Sequence, residues 1–332
     1  MTSRKVKTAL VGCGAMTRLA HLPASLRSPN CELTLLVDTD IDRARVLARP
    51  LGVDATDNLA DLAGEVEAAV VVVPHHVHVS VGTELMRSGI SVLLEKPMAV
   101  SASECDELIS VAKANDCTLD VALIRRQFWN DLMMRTIVEQ KWFGDPTAFS
   151  ITDGGSFDWP SETDFILKKK ESGGGVLIGN GSHILDLVSW VFSHPESVSY
   201  KSDSAIGMEA DCSLQLFFDE FEGSIELSRT RNLGNEFVVC FKGTEIRSQR
   251  FSDEIGIWRQ DKLVGKLTNP VPDEDKLEAA ATRQLTAFLE SVMNKSGVAE
   301  TATNSNQCLQ TIEHCYATRI PVDHPWDQIH EA

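Results

Sequence analysis

Three stretches of the sequence carry side chains whose types and spacing suit chemistry. The first is Ser91-Val92-Leu93-Leu94-Glu95-Lys96-Pro97, an apolar strand run that passes directly into Glu-Lys-Pro. Proline ends a strand ladder because it has no N–H to donate, so Lys96 is expected at the carboxyl edge of a sheet. In a doubly wound fold, that edge is where ligands bind. The second is Gly173-Gly174-Gly175-Val176-Leu177-Ile178-Gly179-Asn180-Gly181-Ser182-His183-Ile184-Leu185-Asp186. His183 is expected to open a helix, with Asp186 three residues on along the same face. An imidazole exchanges protons near neutral pH, which suits acid–base work.

The third stretch is Gly12-Cys13-Gly14-Ala15-Met16-Thr17, which follows the apolar run Val6 to Val11. Strand, glycine turn and helix in that order form a dinucleotide-binding pattern. The first glycine permits a tight turn, and the second lets backbone amides approach a pyrophosphate at the helix start. Thr17 stands at the third fingerprint position, so the match is partial, and a glycine turn between any strand and helix is the alternative. The second strand ends in Val37-Asp38, and a carboxylate there accepts hydrogen bonds from the adenosine ribose while repelling a ribose phosphate. Asp38 therefore favours NAD over NADP, although Arg43 and Arg45 stand close enough in sequence to meet a phosphate. A helix cap for the segment starting near Ile41 is the competing role for Asp38.

The elements that must position these residues follow from periodicity. The chain up to residue 125 alternates apolar runs with amphipathic ones, as successive βαβ units of a parallel sheet do. Strands are read at Lys5–Gly12, Glu32–Asp38, Ala68–Pro74, Ser91–Lys96 and Thr118–Ile124, with helices near 15–28, 40–51, 76–88 and 101–115. Ser101-Ala102-Ser103-Glu104 fits a capping box at the start of the last of these. After a linking helix around 128–142 come longer alternating strands at 146–153, 197–206, Ser213–Phe218, Gly223–Thr230, 235–250 and 254–267, with helices at 182–193, 274–294 and 304–318. The expected fold is α/β: an N-terminal Rossmann domain (1–125), a doubly wound parallel sheet, followed by a C-terminal α/β domain (126–332) with an open, mostly antiparallel sheet. The free face of that sheet is expected to join subunits.

Composition narrows the function classes. The 332 residues suit two domains, and 43% hydrophobic with 24% charged residues is ordinary for a globular protein. No membrane-spanning segment and no amino-terminal signal sequence are expected, which points to the cytoplasm. The eight cysteines form no Cys-x-x-Cys pair, and Cys308 with His314-Cys315 lacks a second ligand pair, so no metal is expected. A net charge of −17 with scattered Lys and Arg works against nucleic acid, and an anionic substrate would need a local basic pocket.

The GCGAMT turn, Pro74-His75-His76-Val77-His78 after the third strand, Glu95-Lys96-Pro97 after the fourth, and the later Gly-Gly-x5-Gly-x-His-x-x-Asp resemble the glucose–fructose oxidoreductase, inositol dehydrogenase and rhizopine-catabolism (Gfo/Idh/MocA) family over nearly the whole chain. The resemblance implies NAD(P)-dependent redox chemistry on polyols, sugars or their derivatives, by homodimers or homotetramers. It also implies that Lys96 touches both the nicotinamide ribose and the substrate hydroxyl, that the Lys96–Pro97 bond is cis, and that His183 is the general acid–base. Gly12, Gly14, Ala15, Met16, Asp38, Pro74, His75, His78, Glu95, Lys96 and Arg126 are the expected cofactor-binding residues. Lys96, Arg125, Trp159, Asn180, His183 and Asp186 are the expected substrate-binding ones. Phe157-Asp158-Trp159-Pro160 offers an aromatic ring beside a carboxylate, which suits a sugar, with a packed loop anchor as the alternative, and Lys168-Lys169-Lys170 reads as a solvated helix end, with contact to a substrate phosphate as the alternative.

The sequence departs from the resemblance at Gly179, where many dehydrogenase members carry aspartate four residues before the histidine. The first reading is an NAD-dependent oxidoreductase of a sugar or cyclic polyol. Two alternatives use the same scaffold: a glycoside hydrolase that retains NAD through a closed redox cycle, and a non-catalytic NAD- or sugar-binding regulator.

Overall fold

A computed structural model describes residues 4–156, 163–204 and 208–322, and the chain divides into two compact units. The first unit holds six strands: β1 (Val6–Val11), β2 (Cys31–Val37), β3 (Asp54–Thr56), β4 (Ala68–Val71), β5 (Ser91–Leu94) and β6 (Leu119–Val121). They pair in the order β3-β2-β1-β4-β5-β6, and every pairing is parallel. This is the doubly wound order, in which the chain changes direction between β1 and β4 and opens a crevice beyond their carboxyl ends. Both β4 and β5 are buried along their whole length, which is why they read as continuous apolar runs and not as alternation. The three-residue edge strand β3 was not expected, because its residues carry no apolar signal.

The structure moves several boundaries. The strand expected to reach Ile124 ends at Val121, and Ile124–Gln127 forms a 3₁₀ turn that carries Arg125 and Arg126. The helix Ile41–Ala48 is capped by Asp40, whose side chain accepts from the Arg43 N–H, so Asp38 is released from the capping role. Ser101 caps the helix Ala102–Ala114, but the Glu104 carboxylate reaches back to the N–H of Val100, one residue beyond a standard capping box. The helix expected at 15–28 begins with a π turn, Thr17–His21, that runs into an α-helix over Leu22–Arg27. Pro23 has no N–H to give an upstream carbonyl, and the wide turn lies directly before it.

The two compact units are not continuous stretches that meet at 125/126. The first unit runs to Gln127 and takes back Asp275–Gln307. The helix Lys276–Met293 is amphipathic, and its apolar residues Ala281, Leu285, Phe288 and Leu289 join Val6, Leu10, Leu36, Val70 and Leu93 in one buried cluster. Burial of that stripe draws the helix back to the parallel sheet.

The second unit contains β7 (Ala148–Gly154), β8 (Ser197–Ser202), β9 (Asp211–Phe217), β10 (Glu222–Ser228), β11 (Glu236–Phe241), β12 (Thr244–Gln249), β13 (Glu254–Arg259), β14 (Lys262–Thr268) and β15 (Ile320–Pro321). They form a nine-stranded sheet in the order β14-β13-β12-β11-β7-β10-β9-β8-β15. All neighbours are antiparallel except β10 with β7 and β15 with β8. The runs expected as single strands at 235–250 and 254–267 are hairpins. They turn at Lys242-Gly243, with Gly243 at φ 75°, and at Gln260-Asp261, with both residues at positive φ. One face of β9 to β12 is buried, and the other presents polar side chains such as Gln215, Glu226, Glu245 and Arg247.

Against expectation, one stretch, Lys169–Phe192, is long and apolar enough to cross a membrane by length and composition, and 72% of its apolar window is buried inside the molecule. Its apolar surface is already covered by protein. The returning helix supplies a test of the fold: Phe288→Ala should destabilise the protein by about 3–5 kcal/mol, read from the denaturant midpoint, because it opens a cavity in a core that has no exposed edge there.

Candidate functional site

In the first unit the sheet's carboxyl edge gathers the expected dinucleotide residues. Gly12 follows β1 at φ 93°, and a Cβ there would run into the carbonyl oxygen of Val72 just past β4. Only glycine fits both the conformation and the space. The position above Gly14 is open, with nothing within 4 Å of where a Cβ would stand. The helix that starts at Ala15 and Met16 has no side-chain cap at its first turn, so its amides are available to an anion. Thr17 donates its hydroxyl to the carbonyl of Gly12 at 2.5 Å and so ties turn to helix where the fingerprint lacks its third glycine.

Asp38 is buried at the end of β2. Its Oδ2 accepts from the Cys13 N–H at 2.8 Å and its Oδ1 from the Asp40 N–H at 2.9 Å, while Arg43 Nη1 lies 3.2 and 3.3 Å from the two oxygens. The carboxylate is thus locked beside the glycine turn, and Arg43 is engaged with it. Arg45 pairs instead with Asp42. An open glycine turn, uncapped amides and an oriented acid fit a dinucleotide. Among the described residues no group of three His, Cys, Asp or Glu side chains gathers as a metal site. The eight cysteines are free thiols, and burial raises that of Cys13 to about 12.

Beyond β5, the Lys96–Pro97 peptide bond is cis. Glu95 is buried, with Oε1 2.8 Å from His21 Nε2 and Oε2 accepting from the Lys96 N–H at 3.0 Å. A carboxylate only accepts, so Nε2 of His21 carries the hydrogen. Burial pushes the Glu95 carboxyl up, but the His21 hydrogen bond and charge, together with Lys96, hold it below the usual value. Lys96 itself is partly buried. His78 was expected to touch the cofactor, and the structure corrects this. Its ring is 0% exposed and lies 2.9 Å from each of two backbone carbonyls, those of Pro97 and Val73. It fastens the segment after β4 to the segment after β5, and burial lowers its proton affinity. Pro74 opens the short turn His75–Val77, where His75 packs edge-on against Phe165 at 5.0 Å. Arg125 is buried, and Arg126 Nη1 lies 3.3 Å from Glu300.

In the second unit His183 does not open its helix. The helix begins at Val176, makes a π turn over Leu177–Gly181 and continues as Ser182–Phe192. Its start is set by Glu209, far off in sequence: the Glu209 carbonyl accepts from the Val176 N–H at 2.8 Å, and the Glu209 carboxylate accepts from the Leu177 N–H at 2.8 Å and from the Tyr316 hydroxyl at 3.0 Å. Burial raises the Glu209 carboxyl above its usual value in spite of these donors. Among the described residues two π turns occur, both in helices that follow glycine motifs, and π turns occur frequently at functional sites.

Asp186 is 1% exposed, so its carboxylate belongs to the interior and not to a substrate-facing surface, which corrects its expected role. Asn180 Nδ2 lies 3.5 Å from Asp153 Oδ1, and Asp153 is held by Arg250 Nη1 at 3.0 Å from each oxygen. Gly179, where the family resemblance puts aspartate, underlies Arg229: a Cβ at Gly179 would overlap the guanidinium Nη2. Burial lowers the proton affinity of Arg229, and the field of Glu209 opposes that. Trp159, with Phe157, Asp158 and Pro160, lies outside the described residues. Lys168 precedes a short helix, Lys169–Ser172, and pairs with Glu171.

Residues 6–123 match the family model described as an oxidoreductase family with an NAD-binding Rossmann fold, and residues 132–247 match the C-terminal domain of the same family. The chain belongs to the Gfo/Idh/MocA oxidoreductase family. Relatives in this family include a putative UDP-kanosamine synthase oxidoreductase subunit of Amycolatopsis mediterranei (strain S699), 27% identical over 56% of this chain and 51% of the relative. D-glucoside 3-dehydrogenase of Escherichia coli (strain K12) is 26% identical over 64% of this chain and 62% of the relative. The chain thus spans about half the length of the former and under two thirds of the latter. The structure of a levoglucosan dehydrogenase in complex with NADH and L-sorbose superposes with a TM-score of 0.83 at 16% identity, covering 95% of this chain and 98% of the other, which shows the shared fold.

Three residues of this Gfo/Idh/MocA protein escape a reading of the sequence: His21, Glu209 and Arg229. None stands within a motif, and each acts on a residue at least 30 positions away. The His21 contact yields a test. His21→Ala should cost about 1–3 kcal/mol by leaving a buried carboxylate oxygen without its donor. Because the folded Glu95 carboxyl is held below its ordinary 4.5, its stabilisation is complete above that pH and is lost as pH falls through the folded value. The deficit of the variant should therefore be full at neutral pH and shrink in acid, as read from denaturant midpoints across pH.

Proposed function

We propose that this protein is an NAD-dependent oxidoreductase that transfers a hydride between nicotinamide and a carbinol carbon of a sugar, a sugar derivative or a cyclic polyol. The observation that carries the reading is the carboxyl edge of the parallel sheet, where Asp38 is locked beside an open glycine turn and Lys96 follows a clamped glutamate two strands away.

The dinucleotide, when bound, supplies the redox chemistry. Gly12 and Gly14, with the amides of Ala15 and Met16, bind its pyrophosphate, and Asp38 accepts from the adenosine ribose hydroxyls. Pro74, His75 and Arg126 line the cofactor side, while Glu95 and His78 hold that wall in place from behind. Lys96 would stabilise charge on the reacting oxygen through its ammonium and relay a proton there. His183 takes the hydroxyl proton in oxidation and returns it in reduction. Arg125, Trp159 and Asn180 complete the proposed substrate contacts. The resemblance also supports a homodimer or homotetramer.

Mixing the protein with NAD and a panel of sugars and polyols, and following NADH absorbance, tests the reading. Lys96→Ala and His183→Ala should each lower kcat by about 10²–10⁴-fold, as loss of a positioned acid–base group does. NAD affinity of His183→Ala should stay near that of the parent, and activity surviving Lys96→Ala would sink the proposal. Replacing Asp38 with serine removes the carboxylate that repels a ribose phosphate and leaves Arg43 with its Asp40 partner, so the ratio of NADP to NAD use should rise by about tenfold or more, equivalent to roughly 1.4 kcal/mol, read from kcat/KM with each cofactor.

A further inference from the structure

We propose that Glu209 is a positioning residue for His183: its carboxyl oxygen anchors the start of the helix that carries His183 and so decides where the imidazole points. The proposal rests on the reading of His183 as the acid–base group.

The first turn of that helix has N–H groups to satisfy, and the residues leading into it, Gly173, Gly174 and Gly175, carry no side chain to do so. Glu209 serves instead. Its carbonyl accepts from the Val176 N–H and its Oε1 from the Leu177 N–H, each at 2.8 Å. Oε1 also accepts from the Tyr316 hydroxyl at 3.0 Å, which holds the carboxyl group from a second direction. The glycines make the room. A Cβ on Gly175 would overlap the Glu209 backbone, and one on Gly174 the Tyr316 hydroxyl. The residue is 1% exposed, so the contact is shut away from solvent.

Leu177 is also the first residue of the π turn Leu177–Gly181, and His183 follows that turn by two residues. A π turn holds one residue more than an α turn, so its relaxation would swing the side chains beyond it by about 100°. Anchoring Leu177 fixes the phase of the helix at His183.

The competing role for Glu209 is to carry the counter-charge of Arg229. Burial lowers the proton affinity of that arginine, and the field of Glu209 is first among the charges that oppose it. Glu209 Oε2 is buried and makes no hydrogen bond among the described residues. The two roles ask different things of the side chain. An anchor needs an acceptor at the right reach, whereas a counter-charge needs only a charge.

Histidine ring NMR, with His183→Ala assigning the His183 signal, and steady-state kinetics test this together. Glu209→Gln keeps the acceptor and its reach but removes the charge, while Glu209→Asp keeps the charge and withdraws the acceptor by one methylene. Glu209→Gln should leave the His183 signal at its parent position and kcat within about threefold of the parent. Glu209→Asp and Glu209→Ala should displace that signal, leave the other histidines in place and lower kcat by about 10–10²-fold, the scale of a misplaced reacting group. KM for NAD should stay within about twofold in all three. On a His183→Ala background, Glu209→Asp should cost nothing further in kcat because it acts through the missing ring, whereas a general loss of structure would lower kcat in either background. Glu209→Asp serves if Glu209→Ala does not fold. A His183 signal unmoved in Glu209→Asp overturns the proposal, and so does a signal displaced in Glu209→Gln as far as in Glu209→Asp or further, the pattern of a counter-charge. Because ring signals are read without turnover, displacement of His183 in a protein that transfers no hydride would sink the redox reading alone, and turnover that ignores Glu209→Asp would sink this one alone.

Discussion

A carboxylate buried at the end of a parallel strand must find donors for both oxygens, and Glu95 finds them in His21 and in the amide of Lys96. The residues that follow β5 depend on that contact. It ties the strand end to the helix after the glycine turn, so the lysine and the dinucleotide turn are held to one another through a buried pair. His78 packs between the backbone carbonyls of Pro97 and Val73 and donates the one N–H of its neutral ring to one of them, which links the segments after β4 and β5. The π turn at Thr17–His21 belongs to the same arrangement, because it delivers the imidazole to the glutamate from a helix whose first residues face the other way, toward the turn.

The second unit solves a similar problem with a different acid. Glu209 gives its backbone carbonyl and its Oε1 to the first turn of the helix that carries His183, and a helix start that would otherwise leave N–H groups unsatisfied is capped by a residue from elsewhere in the chain. That cap moves the helix start to Val176, inserts a π turn and places Gly179 and His183 on a single continuous helix. A Cβ at Gly179 would stand against the end of the Arg229 side chain.

Much of this was legible in the sequence because it is local. Continuous apolar runs in β4 and β5 follow from burial on both faces, alternation in β9 and β10 follows from burial on one, and Gly12 is demanded by a turn that no side chain tolerates. What was misread was set by contacts distant in sequence. The strands at 235–250 and 254–267 were taken as single because Lys242-Gly243 and Gln260-Asp261 are weak turn signals that only pairing with neighbouring strands enforces. That the helix Lys276–Met293 packs in the first unit was not legible, because an amphipathic stripe says that it is covered, not by what.

The sequence by itself determined the family, the two kinds of sheet and the order of the chemical motifs, since these depend on periodicity, glycine and proline, whose effects reach only a few residues. The tertiary structure alone decided which groups surround the chemistry. Asp186 and His78 proved to be interior, Asp38 was freed of its capping role, and His21, Glu209 and Arg229 entered from outside every motif. The physical reason is the same in each case. A buried polar group must be satisfied wherever a partner can be found, and the fold, not the spacing along the chain, brings that partner within hydrogen-bonding distance.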